Sequence, residues 1–227
     1  MIERLLMSDI YFADKIAKID LEHEPKTLIE CKKRSDWPKW KEAIAAELLS
    51  LNKRKVFRHV GRTPKDIFLV EHKWVFVRKR NGNNEVVRYK ARLVAQRFTQ
   101  RPGIDVDETY SPVVDGITFW YLISMAASMN LQMKLMDVVT AYLYGSLDAE
   151  IYMKVLEGII VPKPEKCNMY SVKLQRSLYG LKQSGRMWYN RLSDFLEEKG
   201  FLKNEDCPCV FIRKSEKRIL YSISLCR

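Results

Sequence analysis

A β-hairpin between residues 73 and 95 constrains the fold of this chain more than any other segment. Residues 73–80 are rich in aromatic and β-branched side chains, which favours a strand. Asn81-Gly82 follows, and this pair readily adopts the positive backbone angles of a tight turn. Residues 85–95 then return with apolar and polar side chains in alternation, as a half-buried strand requires.

The hairpin carries cations that need either an anionic partner or bulk water. Alternation predicts Arg88, Lys90 and Arg92 on one face of the returning strand. The cations across the turn are Arg78, Lys79 and Arg80. Phosphates of a nucleotide or template would relieve their repulsion, because guanidinium groups bind phosphate in bidentate fashion. A solvated surface would relieve it as well, so a purely structural hairpin remains the alternative.

The composition favours a globular protein with a polyanionic partner. Lys and Arg number 40 against 28 acidic residues, and the net charge of +12 favours nucleic acid, although it also serves solubility. No apolar run reaches membrane-spanning length. The five scattered cysteines suit a reducing compartment and form no zinc-site spacing. We therefore expect a soluble intracellular protein, in cytoplasm or nucleus, with no membrane partner; the oligomeric state stays open.

Residues 131–145 carry the strongest candidate for chemistry. Apolar residues 131–136 predict a strand, and Asp137 follows where that strand would leave the core. A carboxylate there can hold a hard cation such as Mg²⁺, which prefers oxygen ligands. Tyr142 would bring its ring near that carboxylate if the chain turns helically. The alternative is that Asp137 caps a helical turn and Tyr142 packs in the core.

Periodicity predicts three helices and a terminal hairpin. A stripe that includes Trp37 and Trp40 begins an amphipathic helix, with both rings as core anchors. Residues 117–129 predict a buried helix, and residues 184–199 a helix that Gly200 ends. The predicted strands beyond the first hairpin lie at 150–154, 171–174, 210–213 and 218–223. The loop acids Asp105, Asp107 and Glu108 lack calcium-loop spacing, so we expect them to be solvated.

Three blocks together resemble the reverse transcriptase of copia-type retrotransposons. Met-Asp-Val-Val-Thr-Ala-Tyr-Leu-Tyr-Gly at 136–145 resembles the family's first carboxylate motif. Arg-Tyr-Lys-Ala-Arg-Leu-Val-Ala-Gln at 88–96 is similar to its fingers motif, whose basic residues face the incoming triphosphate. Ser-Leu-Tyr-Gly-Leu-Lys-Gln-Ser-Gly-Arg at 177–186 is similar to a further signature. The departures are Arg97, Trp120 and Leu156, where relatives usually carry Gly, Arg and Pro.

The resemblance implies an α+β fold with the fingers and palm of a polymerase. The fingers would span about residues 55–112 and the palm about 113–227, within a domain over 35–227 that follows an extension over 1–34. The implied reaction joins a deoxynucleotide triphosphate to a primer on an RNA or DNA template. Two Mg²⁺ ions would stabilise the attacking and leaving oxygens of this nucleotidyl transfer.

The resemblance also implies roles for individual residues. Asp137 would be the catalytic carboxylate and would hold metal together with the backbone oxygen of Val138. The residues implied to contact the nucleotide are Lys90, Arg92, Tyr142, Gly180 and Lys182. Tyr142 would exclude a ribose 2′-hydroxyl by its bulk, and Gly180 would allow close backbone approach. The residues implied to contact nucleic acid are Arg78, Lys79, Arg88 and Gln183.

The last residues depart from the family. In relatives the final strand continues into Tyr-x-Asp-Asp, which carries the remaining catalytic carboxylates, whereas residues 222–227 here read Ser-Ile-Ser-Leu-Cys-Arg. We therefore expect a polymerase domain incomplete at its C-terminus, which binds nucleic acid without catalysis. The alternatives are a working RNA-directed DNA polymerase and an unrelated basic globular domain.

Overall fold

The computed structural model describes residues 23–65, 67–157, 169–215 and 218–224. Helices and antiparallel strands mix along these ranges, which is the α+β class that the sequence predicts. The chain divides into two compact units, Met1–Ala45 with Trp74–Arg92, and Ala46–Lys73 with Leu93–Arg227. Most of the predicted N-terminal extension, at 1–22, lies outside the described residues.

The first unit packs helices on the predicted hairpin. Helix α1 spans Leu28–Lys32, and α2 spans Trp37–Lys53 and continues into the second unit. Strands β2 (His72–Arg80) and β3 (Val86–Ala95) form a two-stranded sheet. The fully buried Trp40 ring meets Phe76 and Tyr89 edge-on, at centroid distances of 5.3 and 4.6 Å. Trp40 is therefore confirmed as a core anchor.

The turn of the hairpin differs from the predicted Asn-Gly geometry. The left-handed residue is Asn84, with φ of 65°, while Gly82 does not have positive φ. The Asn81 side-chain oxygen accepts hydrogen bonds from the backbone N–H groups of Asn83 and Glu85, at 3.0 and 2.9 Å. The Asn81 side chain thus supplies the turn geometry that sequence reasoning assigned to glycine.

The second unit contains two three-stranded antiparallel sheets. In the first, β5 (Tyr170–Leu174) lies between β1 (Phe57–Arg62) and β4 (Tyr152–Lys154). In the second, β7 (Val210–Ser215) lies between β6 (Leu202–Lys203) and β8 (Arg218–Ile223). The strands predicted at 150–154 and 171–174 and the terminal hairpin are thereby confirmed.

Helix α4 covers the second sheet. It spans Ser184–Glu198, and Gly200 follows it with φ of 78°, as the sequence predicts for its end. Its buried Tyr189 and Leu196 pack in one cluster with the fully buried Phe211 of β7. The Tyr189 hydroxyl donates to the backbone oxygen of Pro208 at 2.8 Å.

Helix α3 (Gly116–Ser128) forms as predicted but is not buried as predicted. The Asp115 carboxylate caps it by accepting from the Thr118 N–H at 2.9 Å. Ala126 is buried, whereas the Ile117, Trp120 and Tyr121 side chains are exposed. Burying an apolar helix on all sides needs partner elements on every side.

Among the described residues, no helix has both the length and the apolar character needed to span a membrane.

Residues 131–136 do not form the predicted strand, which corrects the placement of Asp137 at a strand end. This segment has no regular secondary structure, and Leu135 and Met136 are 92% and 80% exposed. A strand requires a neighbour that pairs with its backbone groups. Within the described ranges, no strand pairs with this segment.

Candidate functional site

Asp137 lies on an exposed, irregular segment, and Tyr142 lies on the short turn that follows. Asp137 is exposed and does not cap that turn, a 3₁₀-helix over Ala141–Tyr144, because Thr140 occupies the cap position in a left-handed conformation. The capping alternative for Asp137 is therefore wrong. The half-buried Tyr142 ring meets Tyr179 edge-on, with centroids 5.9 Å apart.

The loop after β5 presses its backbone against the end of β3. The Ala95 N–H donates to the Tyr179 carbonyl oxygen at 2.7 Å. Gly180 has φ of +88°, and a Cβ placed there would lie 2.2 Å from the Ala95 oxygen and 2.5 Å from the Val94 side chain. No side chain fits at that separation. Gly180 thus allows a close approach between its own backbone and that of Ala95, and its contact with a nucleotide stays a prediction.

A buried amide pair holds the following turn in place. Gln183 is fully buried, and its amide oxygen accepts from the Gln100 side chain at 2.9 Å. Its amide nitrogen donates to the Asp105 backbone oxygen at 2.9 Å. These bonds engage both ends of the Gln183 side chain, so it would reach a template base only after this loop opens.

Gln100, the partner of Gln183 in this pair, also positions Lys182. The Gln100 side-chain oxygen accepts from the Lys182 N–H at 2.8 Å, and the Lys182 ammonium donates to the Gln100 backbone oxygen at 3.2 Å. Sequence reasoning missed Gln100, because its partners lie more than 80 residues away and no local pattern marks it. The Lys182 side chain remains half-buried at this turn.

The predicted alternation of β3 is confirmed over most of the strand. Ala91, Leu93 and Ala95 are buried. The cations Arg88 and Arg92 are exposed and Lys90 is half-buried. Val87 is the exception, with 61% of its surface exposed near the turn.

The two basic residues of β2 that were assigned to nucleic acid differ in exposure. The Arg78 side chain is 3% exposed, and its Nε lies 3.8 Å from the Asp36 carboxylate. Lys79 is exposed. A buried guanidinium beside a carboxylate stabilises its own unit and is not presented to a polyanion. The structure thus presents Lys79 to solvent and buries Arg78, and contact of Lys79 with nucleic acid stays a prediction.

The acidic loop is not uniformly solvated. Asp105 is buried, and its carboxylate accepts from the Arg101 N–H at 2.7 Å and lies 3.4 Å from the Arg101 guanidinium. The expectation of a solvated Asp105 is therefore wrong. Glu108 forms an ion pair with Arg186 at 2.7 Å. These contacts give both acids structural roles.

Neither the cysteines nor the acids assemble a metal site in the described part of the chain. Cys207 and Cys209 place their sulfurs 3.5 Å apart, and burial raises the pKa of the Cys209 thiol to about 11. The described ranges contain no group of three or more His, Cys, Asp or Glu residues placed to hold a metal ion.

Comparisons with known proteins agree on one family. A family profile described as reverse transcriptase (RNA-dependent DNA polymerase) matches residues 54–225. The chain is 38% identical over 204 residues to the retrovirus-related Pol polyprotein from transposon TNT 1-94 of Nicotiana tabacum, covering 90% of this chain and 15% of that protein. It is 33% identical over 202 residues to the Pol polyprotein from transposon RE1 of Arabidopsis thaliana, covering 89% of this chain and 13% of that protein.

A more distant yeast relative matches a shorter stretch. The transposon Ty1-H Gag-Pol polyprotein of Saccharomyces cerevisiae is 31% identical over 150 residues, which cover 63% of this chain and 7% of that protein. The chain thus spans only a small part of the length of each of these relatives. No solved structure matches the chain.

Proposed function

Because this chain belongs to the reverse transcriptase family of copia-type retrotransposon Pol polyproteins, we propose that it forms fingers and palm elements of an RNA-directed DNA polymerase. Its partners would be an RNA or DNA template-primer and deoxynucleotide triphosphates. The fingers would span about residues 55–112 and the palm about 113–227.

One observation carries this proposal: three separated signature blocks meet at Tyr179 and Gly180. The block at 88–96 reaches this point through Ala95, whose N–H bonds to the Tyr179 oxygen. The block at 136–145 reaches it through Tyr142, whose ring contacts Tyr179. The block at 177–186 contains the meeting point itself. Convergence of distant segments on one glycine loop is what a shared nucleotide pocket requires.

At this meeting point each proposed role follows from the chemistry of the side chain. Gly180 keeps the loop backbone close to Ala95, and Lys182 lies on the same turn with an ammonium that suits phosphate. Tyr142 would act as a steric gate, because a ring in van der Waals contact with the sugar leaves no space for a 2′-hydroxyl.

Asp137 and the backbone oxygen of Val138 would hold Mg²⁺, whose role is to stabilise charge on the attacking and leaving oxygens. Both residues are exposed, so the carboxylate is accessible to a hydrated ion. Two ions require several carboxylates, and one carboxylate with one carbonyl oxygen does not fit that requirement alone. Asp137 therefore stands as one ligand of a larger set.

The basic strand should dominate binding of single-stranded nucleic acid. Changing Arg88, Lys90 and Arg92 together to Ala is expected to weaken binding and to reduce the slope of log affinity against log salt by about 2. Each phosphate contact to a single strand contributes roughly 0.7 to that slope through counterion release. Fluorescence anisotropy with a labelled oligonucleotide over a salt series measures it.

A matched control removes the same charge from the same unit. Lys32, Lys33 and Lys41 are exposed and lie outside the hairpin, and changing all three to Ala should leave the slope nearly unchanged. Equal slopes for the native chain and the hairpin variant would assign Arg88, Lys90 and Arg92 to a solvated face.

The steric gate is tested in a polymerase that carries residues 1–227 followed by a family Tyr-x-Asp-Asp segment and thumb. Tyr142→Val is expected to raise ribonucleotide incorporation about 10-fold to 100-fold. The ring excludes the 2′-hydroxyl, and its loss should reduce the discrimination against ribonucleotides by about 1–3 kcal/mol. Primer extension with competing ribo- and deoxynucleotides gives the ratio.

Tyr142→Phe is the control for this variant. It keeps the ring and removes only the hydroxyl, so discrimination should stay close to that of the parent enzyme. Unchanged discrimination in Tyr142→Val would return Tyr142 to a packing role against Tyr179.

A further inference from the structure

We propose that a basic groove beside β1 binds a nucleic-acid strand through its phosphates, at a place separate from the residues assigned above. The groove lies in the second unit and has a volume of about 500 Å³. Its charged lining residues are Lys55, Arg58, Lys173, Arg176, Asp148 and Glu150. The inference rests on the proposed function, because it adds a second contact for the same kind of ligand.

Three of the four cations in this groove form no close ion pair with a carboxylate in the described ranges, although the charge of Arg58 helps to lower the pKa of Glu150. Lys173 forms an ion pair with Glu150, which neutralises both. No ion pair joins Lys55, Arg58 or Arg176 to an acid among the described residues. Arg176 instead donates to the Tyr144 backbone oxygen at 3.3 Å. Unpaired cations that share a concave surface raise the local potential and attract an anion.

Arg58 is held in position by the strand and by a neighbouring amide. The pairing of β1 with β5 shifts register between Phe57 and Val60, and such an irregularity re-aims the intervening side chain. When the Gln175 amide is oriented with its nitrogen toward Lys55, it donates to the Lys55 backbone oxygen at 3.0 Å and accepts from the Arg58 Nε at 3.2 Å. This arrangement fixes Nε and leaves the two terminal nitrogens for a bidentate phosphate contact.

Lys55 occupies a backbone conformation that a lysine rarely adopts. It follows the end of α2 with φ of 52°, and its N–H donates to the Asn52 backbone oxygen at 2.9 Å. Helices commonly end with glycine in this left-handed position, since a Cβ there is unfavourable. The exposed Lys55 thus places its ammonium group at the rim of the groove from a backbone conformation that glycine would adopt without cost.

The acids of the groove favour nucleic acid over an acidic peptide. Asp148 and Glu150 are exposed hydrogen-bond acceptors. These acids repel phosphates and peptide carboxylates alike, but each ribonucleotide carries a 2′-hydroxyl donor beside its phosphate, whereas the acidic side chain of a peptide carries no donor there. The groove is also open and polar, which suits a chain of phosphates better than an apolar side chain.

The test is a salt series of fluorescence anisotropy on the full chain with labelled oligo(rU) and oligo(dT). The double variant Lys55→Gly with Arg58→Gln is expected to lower the slope of log affinity against log salt by about 1.4, for two lost phosphate contacts. Lys203→Gln, an exposed change on β6, is the control and should lower it by less than half a unit. Tighter binding of oligo(rU) than of oligo(dT) would assign the acceptors to the 2′-hydroxyl, which oligo(dT) lacks, and equal binding would show that Asp148 and Glu150 take no part in recognition.

Lys55→Gly separates binding from folding. Because glycine relieves the left-handed strain, this variant should melt at the same temperature as the native chain or up to about 2 °C higher while it binds more weakly. Weaker binding with a lowered melting temperature would instead indicate damage to the fold, and Arg58→Gln alone then decides the outcome.

Three results would overturn the groove proposal. One is a slope of log affinity against log salt that does not change in Arg58→Gln. Another is a decrease of that slope in Lys203→Gln as large as the decrease in the double variant. The third is competition by poly-glutamate that removes the native chain from the oligonucleotide while leaving the groove variants bound. Failure of the groove is distinguishable from failure of the proposed function, because the Arg88, Lys90 and Arg92 variant tests the latter on a different unit.

Discussion

A polypeptide of residues 1–227 alone is expected to extend a primer at least about a thousandfold more slowly than a polymerase completed with the Tyr-x-Asp-Asp segment. In-line phosphoryl transfer depends on charge neutralisation by metal ions that several carboxylates anchor. Asp137 is the one such group that we propose, and no acidic residue follows Glu216 among residues 217–227. Loss of a ligand of this kind costs several kcal/mol of transition-state stabilisation, which corresponds to a thousandfold or more in rate.

Primer extension by the purified chain with Mg²⁺ or Mn²⁺ measures this, and Asp137→Asn controls for a contaminating polymerase. Asp105 and Glu108 are poor substitutes for the carboxylates of a Tyr-x-Asp-Asp segment, because each is already paired with an arginine. Extension that occurs in the native chain and disappears in Asp137→Asn would show that 227 residues suffice for catalysis.

Local signals predicted most of the secondary structure. The start of α2 at Trp37, the alternation of β3 and the end of α4 at Gly200 all depend on residues close in sequence. The strand assigned to 131–136 failed, because apolar content gives strand propensity but not a pairing partner. Its failure shows that the environment of Asp137 depends on long-range pairing rather than on the motif alone.

Side-chain roles were harder to predict than elements. Arg78 and Gln183 both look like ligand-binding residues in the sequence, and the structure buries both with distant partners, Asp36 and Gln100. The amino-acid sequence of a strand does not distinguish a cation exposed to solvent from a cation buried beside a carboxylate, because both kinds occur on strands. Gly180 was predictable because glycine has one physical advantage, the absence of a Cβ.

Gly180→Ala is expected to lower the free energy of unfolding of the second unit by about 2–5 kcal/mol. A left-handed alanine costs about 1–2 kcal/mol, and its Cβ would lie 2.2 Å from the Ala95 oxygen, which adds about 1–3 kcal/mol of overpacking. The loop must move away from β3, which also breaks the Ala95–Tyr179 hydrogen bond. The melting temperature should fall by roughly 10 °C.

Gly103→Ala separates the two contributions. Gly103 also has positive φ, at +75°, but nothing lies within 4 Å of a Cβ placed there. Its substitution should therefore cost only about 1–2 kcal/mol, the part due to backbone conformation. Urea unfolding of both variants gives the difference, and hydrogen exchange at the Ala95 amide reports whether the loop has moved. If both variants lose the same stability and the Ala95 amide stays protected, the loop would accommodate a Cβ beside Ala95 without moving, and the close contact at Gly180 would not be what requires glycine there.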